Sequence, residues 1–221
     1  MYQLLYRCLD RHFGNLHWWP GQTPFEVIAG AILTQNTTWT NVEKALKQLR
    51  SKKGLTLRGM RRLPEKELAQ LIHSSGYYNQ KARKLKAFLG YLNETFGGRL
   101  SKMQATETAT LRQGLLSVRG IGPETADSIL LYAFGKPVFV VDSYTRRLFE
   151  RLGILRGGEG YDTIRFQVEA DAEKIKPNRR AAYYNQFHAL IVNLCKDFCR
   201  KSHPLCSHCP VKSLNCCKYS L

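Results

Sequence analysis

Five of the seven cysteines fall in the last 23 residues, spaced Cys199-x6-Cys206-x2-Cys209-x6-Cys216, with Cys217 directly after. Thiols crowded into one short segment of a chain that shows no secretory signal point to metal binding before disulfides. With no second CxxC pair, the pattern suits a [4Fe-4S] cluster better than a zinc ribbon. Cys8 and Cys195 stand apart and read as buried structural residues.

A second stretch able to do chemistry runs from Leu115 to Gly135. An apolar helix ends near Ser117-Val118, Gly120-Ile121-Gly122 follows, and a new helix begins at once. Glycine permits the positive φ of a tight turn and lets a ligand approach the backbone. The free N–H groups of the new helix would form an anion site. In a basic chain a DNA phosphate is its natural occupant, and a plain helix–helix turn is the alternative. Asp142 lies twenty residues beyond Gly122, in Val140-Val141-Asp142-Ser143-Tyr144. It reads as the N-cap of the next helix. Either it is only a cap, or it is a carboxylate held rigidly at the mouth of a cleft and kept ionised by the helix terminus.

Helices must position these groups. Met1 to Phe13 reads as an amphipathic helix. Thr23-Pro24-Phe25-Glu26 has the form of a capping box and opens a nearly all-apolar, buried helix. LPEKELAQLIHSSG repeats the pattern, and further helices are expected near 79–96, 107–117, 122–134, 143–152, 162–175 and 180–198. The one strand-like run is Val138 to Val141, so the fold class is all-α. No low-complexity segment or internal repeat is present.

The 221 residues carry a formal net charge of +17 and a pI of about 9.8, which points to a polyanion, with nucleic acid foremost. No apolar run approaches the ~20 residues that span a bilayer. Charges interrupt the first 13 residues too often for a signal peptide, so the expected location is the cytoplasm, on the nucleoid in a bacterium.

The hairpin followed by VVDSYTRR resembles the helix-hairpin-helix, Gly/Pro, Asp motif of the endonuclease III superfamily of DNA glycosylases. The likeness runs from about Trp18 to the final cysteines. It implies a catalytic role for Asp142, and DNA contacts at Gly120 and Gly122. Bifunctional members carry a lysine two residues after the second hairpin glycine, which forms a Schiff base with the sugar. Here that position is Glu124, and a carboxylate cannot form one. A monofunctional enzyme using water is therefore implied. The family's cysteine loop has a last gap of five residues, one fewer than here. Cys199, Cys206, Cys209 and Cys216 are the implied ligands, with Cys217 the other candidate for the fourth. Lys201, His203, Lys212 and Lys218 surround this loop, which resembles one that presses basic side chains against the DNA backbone.

Within the superfamily, Trp18-Trp19-Pro20, Leu33-Thr34-Gln35-Asn36-Thr37, Gly76-Tyr77-Tyr78-Asn79-Gln80-Lys81-Ala82 and the GIGPETAD hairpin are similar to the 3-methyladenine DNA glycosylases. The resemblance implies a stack of Trp18, Trp19 and Pro20 on a flipped base, with Trp39 on its other face. For Trp18 and Trp19 the alternative is ordinary core packing. Glu124 is counted with this pocket, either near the sugar or facing solvent. Gln35 would fill the vacated gap, and Tyr77 would wedge into the opposite strand or be a plain surface tyrosine. The expected substrates are alkylated purines, 3-methyladenine and 7-methylguanine, in double-stranded DNA. Oxidised pyrimidines, uracil or mismatched thymine are the alternative, and a non-catalytic DNA-binding protein is the second alternative. The family architecture implies a monomer with a six-helix barrel over about 21–135, the hairpin at about 112–134, and a cluster domain pairing 1–20 with 136–221.

Overall fold

The computed structural model describes residues 1–16, 21–214 and 217. Among these residues the secondary structure is helical throughout, with no strand. The chain divides into two compact units, Met1–Trp18 with Pro137–Leu221, and Trp19–Lys136.

The Trp19–Lys136 unit is built around α2 (Pro24–Leu33), whose residues from Phe25 to Leu33 are all buried. Pro24 takes the first helical position, and the Thr23 hydroxyl accepts the Glu26 N–H at 3.2 Å. Only half of the expected capping box forms. The buried Glu26 carboxylate pairs instead with Arg50 at the end of α3 (Trp39–Ser51). A charge inside an apolar layer needs a counter-charge more than a second capping bond. Two short helices, α4 (Leu57–Arg62) and α5 (Glu65–Leu71), lead into α6 (Tyr78–Phe96), which packs along α5. α7 (Leu100–Ala105) then precedes the hairpin.

The hairpin joins α8 (Thr108–Ser117) to α9 (Pro123–Ser128), with Gly122 as the N-cap of α9. Its second arm widens into a π-helical turn at Ile129–Ala133, which packs on α2. Gly135 at φ 64° ends the arm, with its N–H on the Leu131 carbonyl and that of Lys136 on Leu130. The two arms are clamped by a bidentate pair, Arg112 Nε to Asp127 Oδ1 at 2.7 Å and the second arm of the fork to Oδ2 at 3.1 Å. Asp127 has no exposed surface. Asp127→Asn should therefore cost about 3–5 kcal/mol, because it removes a fully buried negative charge from the bidentate pair with Arg112. Urea denaturation would check this; a loss below about 0.5 kcal/mol would contradict it.

In the other unit, α1 (Tyr2–Phe13) buries Tyr2, Leu5 and Leu9, an i, i+3, i+7 stripe that packs on α11 (Tyr161–Asp171) and α12 (Pro177–Asp197). α10 (Ser143–Arg151) lies against α12. The strand-like run Val138–Val141 forms no ladder. It is an extended, fully buried connector. Side chains satisfy its backbone: Phe139 N–H donates to Glu169 Oε1 at 2.9 Å, and Val141 N–H to the Tyr161 hydroxyl at 3.3 Å. Two 3-10 turns, Cys206–His208 and Pro210–Leu214, close the tail against α1. No helix among the described residues is long and apolar enough to cross a membrane.

Candidate active site

Asp142 caps α10 from an extended backbone. Its Oδ1 accepts two hydrogen bonds from Thr145, the N–H at 2.8 Å and the hydroxyl at 2.9 Å. Its Oδ2 lies 3.4 Å from Nε2 of His188, a buried residue of α12. The carboxylate itself is 13% exposed. Burial alone would push its carboxyl up. The His188 imidazole and the two Thr145 donors outweigh that and hold it below the usual carboxylate range. The arrangement presents a fixed negative charge at the N-terminus of a helix, where the backbone dipole favours it.

The same helix reaches the cysteine loop. Arg147 Nε donates to the Cys199 carbonyl at 3.0 Å, and Arg151 donates to Cys199 Sγ at 3.2 Å and to the Arg200 carbonyl at 2.7 Å. Cys199, Cys206, Cys209 and Cys217 line one cavity with Leu148 and Arg151. Cys216 lies outside the described residues. A hydrogen bond from Cys195 holds the Cys199 thiol low against its own burial, and Arg151 adds to this. A low thiol suits a thiolate ligand. Among the described residues no three His, Cys, Asp or Glu side chains converge on a point as ligands of a single metal ion. Four cysteines around one cavity fit a cluster several ångströms across better than one zinc. Cys195 is buried as expected; Cys8 is only half-buried, with Sγ 3.4 Å from the Pro210 carbonyl.

In the Trp19–Lys136 unit the hairpin turn forms one wall of a basic concave surface lined by Gln80, Arg83, Lys84, Ala87, Arg119 and Gly120. Gly120 needs to be glycine twice over: its φ is 87°, and a Cβ there would collide with the Lys84 stem. Gly122 has an ordinary negative φ, and a Cβ there would meet open space. The positive φ expected of both glycines belongs to Gly120 alone. Glu124 is exposed in the first turn of α9.

Gln35 is anchored on this hairpin. Its amide nitrogen donates to the Gly120 carbonyl at 3.1 Å and to the Thr125 hydroxyl at 2.9 Å, and its oxygen accepts from Lys84. Tyr77 is 67% exposed and holds a left-handed backbone, φ 44° and ψ 33°. That conformation is costly for a bulky side chain. Behind it, the buried Lys81 ammonium donates to the Leu33 carbonyl at 2.8 Å and the Ser75 carbonyl at 2.6 Å. Burial first, and Lys84 second, bring its pKa down to about 8. Lys81 thereby ties the end of α2 to the turn that carries Tyr77. Trp39 is half-buried, and its indole N–H donates to Glu43 at 2.9 Å. Trp18, Trp19 and Pro20 lie outside the described residues.

His188, Thr145, Arg147, Arg151, Lys81 and Lys84 were not among the expected site residues. Two signals could have found some of them. His188 is a lone imidazole in the apolar run FHALIV, and Arg147 and Arg151 are one helical turn apart on the helix that Asp142 opens.

The family model for the helix-hairpin-helix GPD superfamily of base excision DNA repair proteins matches residues 29–174. A protein of Methanocaldococcus jannaschii, provisionally described as a DNA repair glycosylase, is 43% identical over 210 residues, covering 94% of this chain and 92% of that protein. The endonuclease III of Thermotoga maritima is 29% identical over 190 residues, or 86% of this chain and 81% of that enzyme. Among solved structures, an H. pylori 3-methyladenine DNA glycosylase bound to 1,N6-ethenoadenine superposes with a TM-score of 0.75 at 31% identity, covering 88% of this chain and 96% of that one. The matched span takes in both the glycine hairpin and the aspartate that follows it, so the non-catalytic alternative falls away: the chain belongs to the helix-hairpin-helix GPD superfamily of base excision DNA repair proteins and is a DNA glycosylase.

Proposed function

We propose that this DNA glycosylase is monofunctional and hydrolyses the N-glycosidic bond of cationic alkylated purines, 3-methyladenine and 7-methylguanine, flipped out of double-stranded DNA. The observation that carries this reading is the state of Asp142. A carboxylate that Thr145 and His188 hold below the usual range is a weaker proton acceptor than a free one. Its strength lies in stabilising positive charge that develops on the sugar. A site of this kind needs a base that already leaves easily, and a purine alkylated at N3 or N7 carries the positive charge that makes it one. The H. pylori enzyme, a 3-methyladenine glycosylase with a modified adenine bound, supports the same substrate class.

Glu124 stands where a Schiff-base lysine would be needed, so water is the nucleophile. Trp18, Trp19 and Pro20 stack on one face of the base and Trp39 on the other, and a cationic ring gains about 0.5–2 kcal/mol from such a face. Gln35 enters the gap, Tyr77 wedges the opposite strand, and phosphates are held by the hairpin turn at Gly120 and Gly122, the first of which lines the basic surface with Arg83, Lys84 and Arg119. The enzyme acts as a monomer.

The cysteine loop holds a [4Fe-4S] cluster through Cys199, Cys206, Cys209 and, as fourth ligand, Cys217, the described cysteine that shares their cavity. When bound, the cluster supplies iron–thiolate bonds that order a C-terminal segment poor in apolar residues. Arg147 and Arg151 hold the start of the loop through the Cys199 and Arg200 carbonyls.

Incubation of methylated DNA with the enzyme should release free 3-methyladenine and 7-methylguanine, and borohydride should trap no covalent adduct on an abasic site. Release of uracil or an oxidised pyrimidine with no methylpurine would overturn the substrate class. A stable adduct would overturn the monofunctional mechanism.

A further inference from the structure

We infer that His188 is a positioning residue for Asp142, donating to Oδ2 and so fixing both the direction and the charge of the carboxylate during glycosidic cleavage. This rests on the reading of Asp142 as the catalytic carboxylate. The Thr145 bonds to Oδ1 are what any capping aspartate makes. A cap has no use for a partner on its other oxygen. Yet a second helix brings an imidazole to 3.4 Å from Oδ2, with His188 only 5% exposed. Its neighbours along that face of α12 are Tyr184, Ile191, Val192 and Cys195, all buried. Placing a polar ring in such a layer costs free energy unless it is used.

The geometry says what the use is. With Oδ1 held by Thr145 alone, the carboxylate could swing about its last torsion. With His188 Nε2 at ion-pair distance from Oδ2, the second oxygen has a restraint of its own. Among the described residues no other side chain donates to this carboxylate. The other titratable or charged groups on the packed elements are engaged elsewhere. Arg147 reaches the Cys199 carbonyl, Cys195 Sγ lies 3.5 Å from the Tyr144 carbonyl, the Tyr161 hydroxyl takes the Val141 N–H, and Glu169 binds Phe139 N–H and Arg165. Burial pushes the Tyr184 phenol up to about 12, so it stays neutral.

The test compares His188→Gln, which keeps a donor at similar reach, with His188→Leu, which removes it. In single-turnover assays on methylated DNA, His188→Leu should be slower by about tenfold or more, with binding to lesion DNA unchanged, and His188→Gln should recover most of the rate. The acid limb should also move. Asp142 is depressed in the native enzyme, so its anion survives as pH falls through the ordinary carboxylate range. Without His188 the burial is less opposed, the carboxyl rises, and the rate of the leucine variant should begin to fall at higher pH. A leucine variant with native rate and native acid limb overturns the inference. So does equal loss in both variants with an unmoved acid limb, because that is a packing defect. Should the leucine variant fail to fold, His188→Asn, too short to reach Oδ2, takes its place: a slow asparagine beside an active glutamine supports the inference, and two native rates overturn it. Failure of the underlying reading is separate, since Asp142→Asn would then keep its turnover.

Discussion

Asp142→Asn should lose about two to three orders of magnitude of single-turnover cleavage, while binding to lesion DNA stays close to native. Asparagine has the same shape and is an equally good N-cap, so Oδ1 can still accept from Thr145 and α10 keeps its start. What vanishes is the negative charge. The sugar becomes cation-like as the bond to the base breaks, and a fixed anion nearby lowers that barrier more than it lowers the ground state. The loss should fall on the rate constant and leave affinity alone. An asparagine variant that turns over at the native rate would remove Asp142 from the chemistry. A variant that loses binding in proportion to rate would reassign it to DNA contact.

The second large effect concerns metal. Cys217→Ser should purify without iron and without the visible absorbance of iron–thiolate bonds when handled without oxygen, whereas Cys216→Ser should keep both. Cys217 shares a cavity with Cys199, Cys206 and Cys209, and a cluster needs all its thiolates on one wall-to-wall space. Cys209→Ser serves as the reference for a lost ligand. Because ligands and folding are linked, chelation should also increase proteolysis of the segment after Phe198. The reverse result, with Cys216 required and Cys217 dispensable, would move the fourth ligand one residue back. A colourless, iron-free native protein would dismiss the cluster as a whole.

Much of the fold was legible because helices write their period into the chain. The stripe Tyr2, Leu5, Leu9, the Thr23-Pro24 start of α2, and the glycine-marked hairpin all announced elements that the structure contains. α3 is an addition to the expected helices, although Val42, Ala45, Leu46 and Leu49 carry a clean helical stripe. α4 and α7, six residues each, are too short to display one. Val138–Val141 was read as strand-like because four apolar residues of β-type bury well in either form; only the partners at Glu169 and Tyr161 show that no ladder is needed. At the site, Asp142 was visible as a cap after an apolar run. His188 was not, since it lies 46 positions along the chain and no local period connects the two. Glu26 shows the same limit, for its capping pattern was present while its counter-charge sat on another helix.

α10 is nine residues long, so its ends stand roughly 13 Å apart at 1.5 Å per residue. It starts at the carboxylate, and Arg147 and Arg151 grip the cysteine loop at Cys199, Arg200 and Lys201. These hydrogen bonds of the two arginines to the loop gather at residues 199–201, while Leu148 and Arg151 also line the cavity that Val211, Lys212 and Cys217 share. The rod that begins at Asp142 therefore ends against the cysteine cavity, so a change of loop length on either side of that cavity, between Cys195 and Cys199 or just before Cys217, would press on the helix that carries the carboxylate.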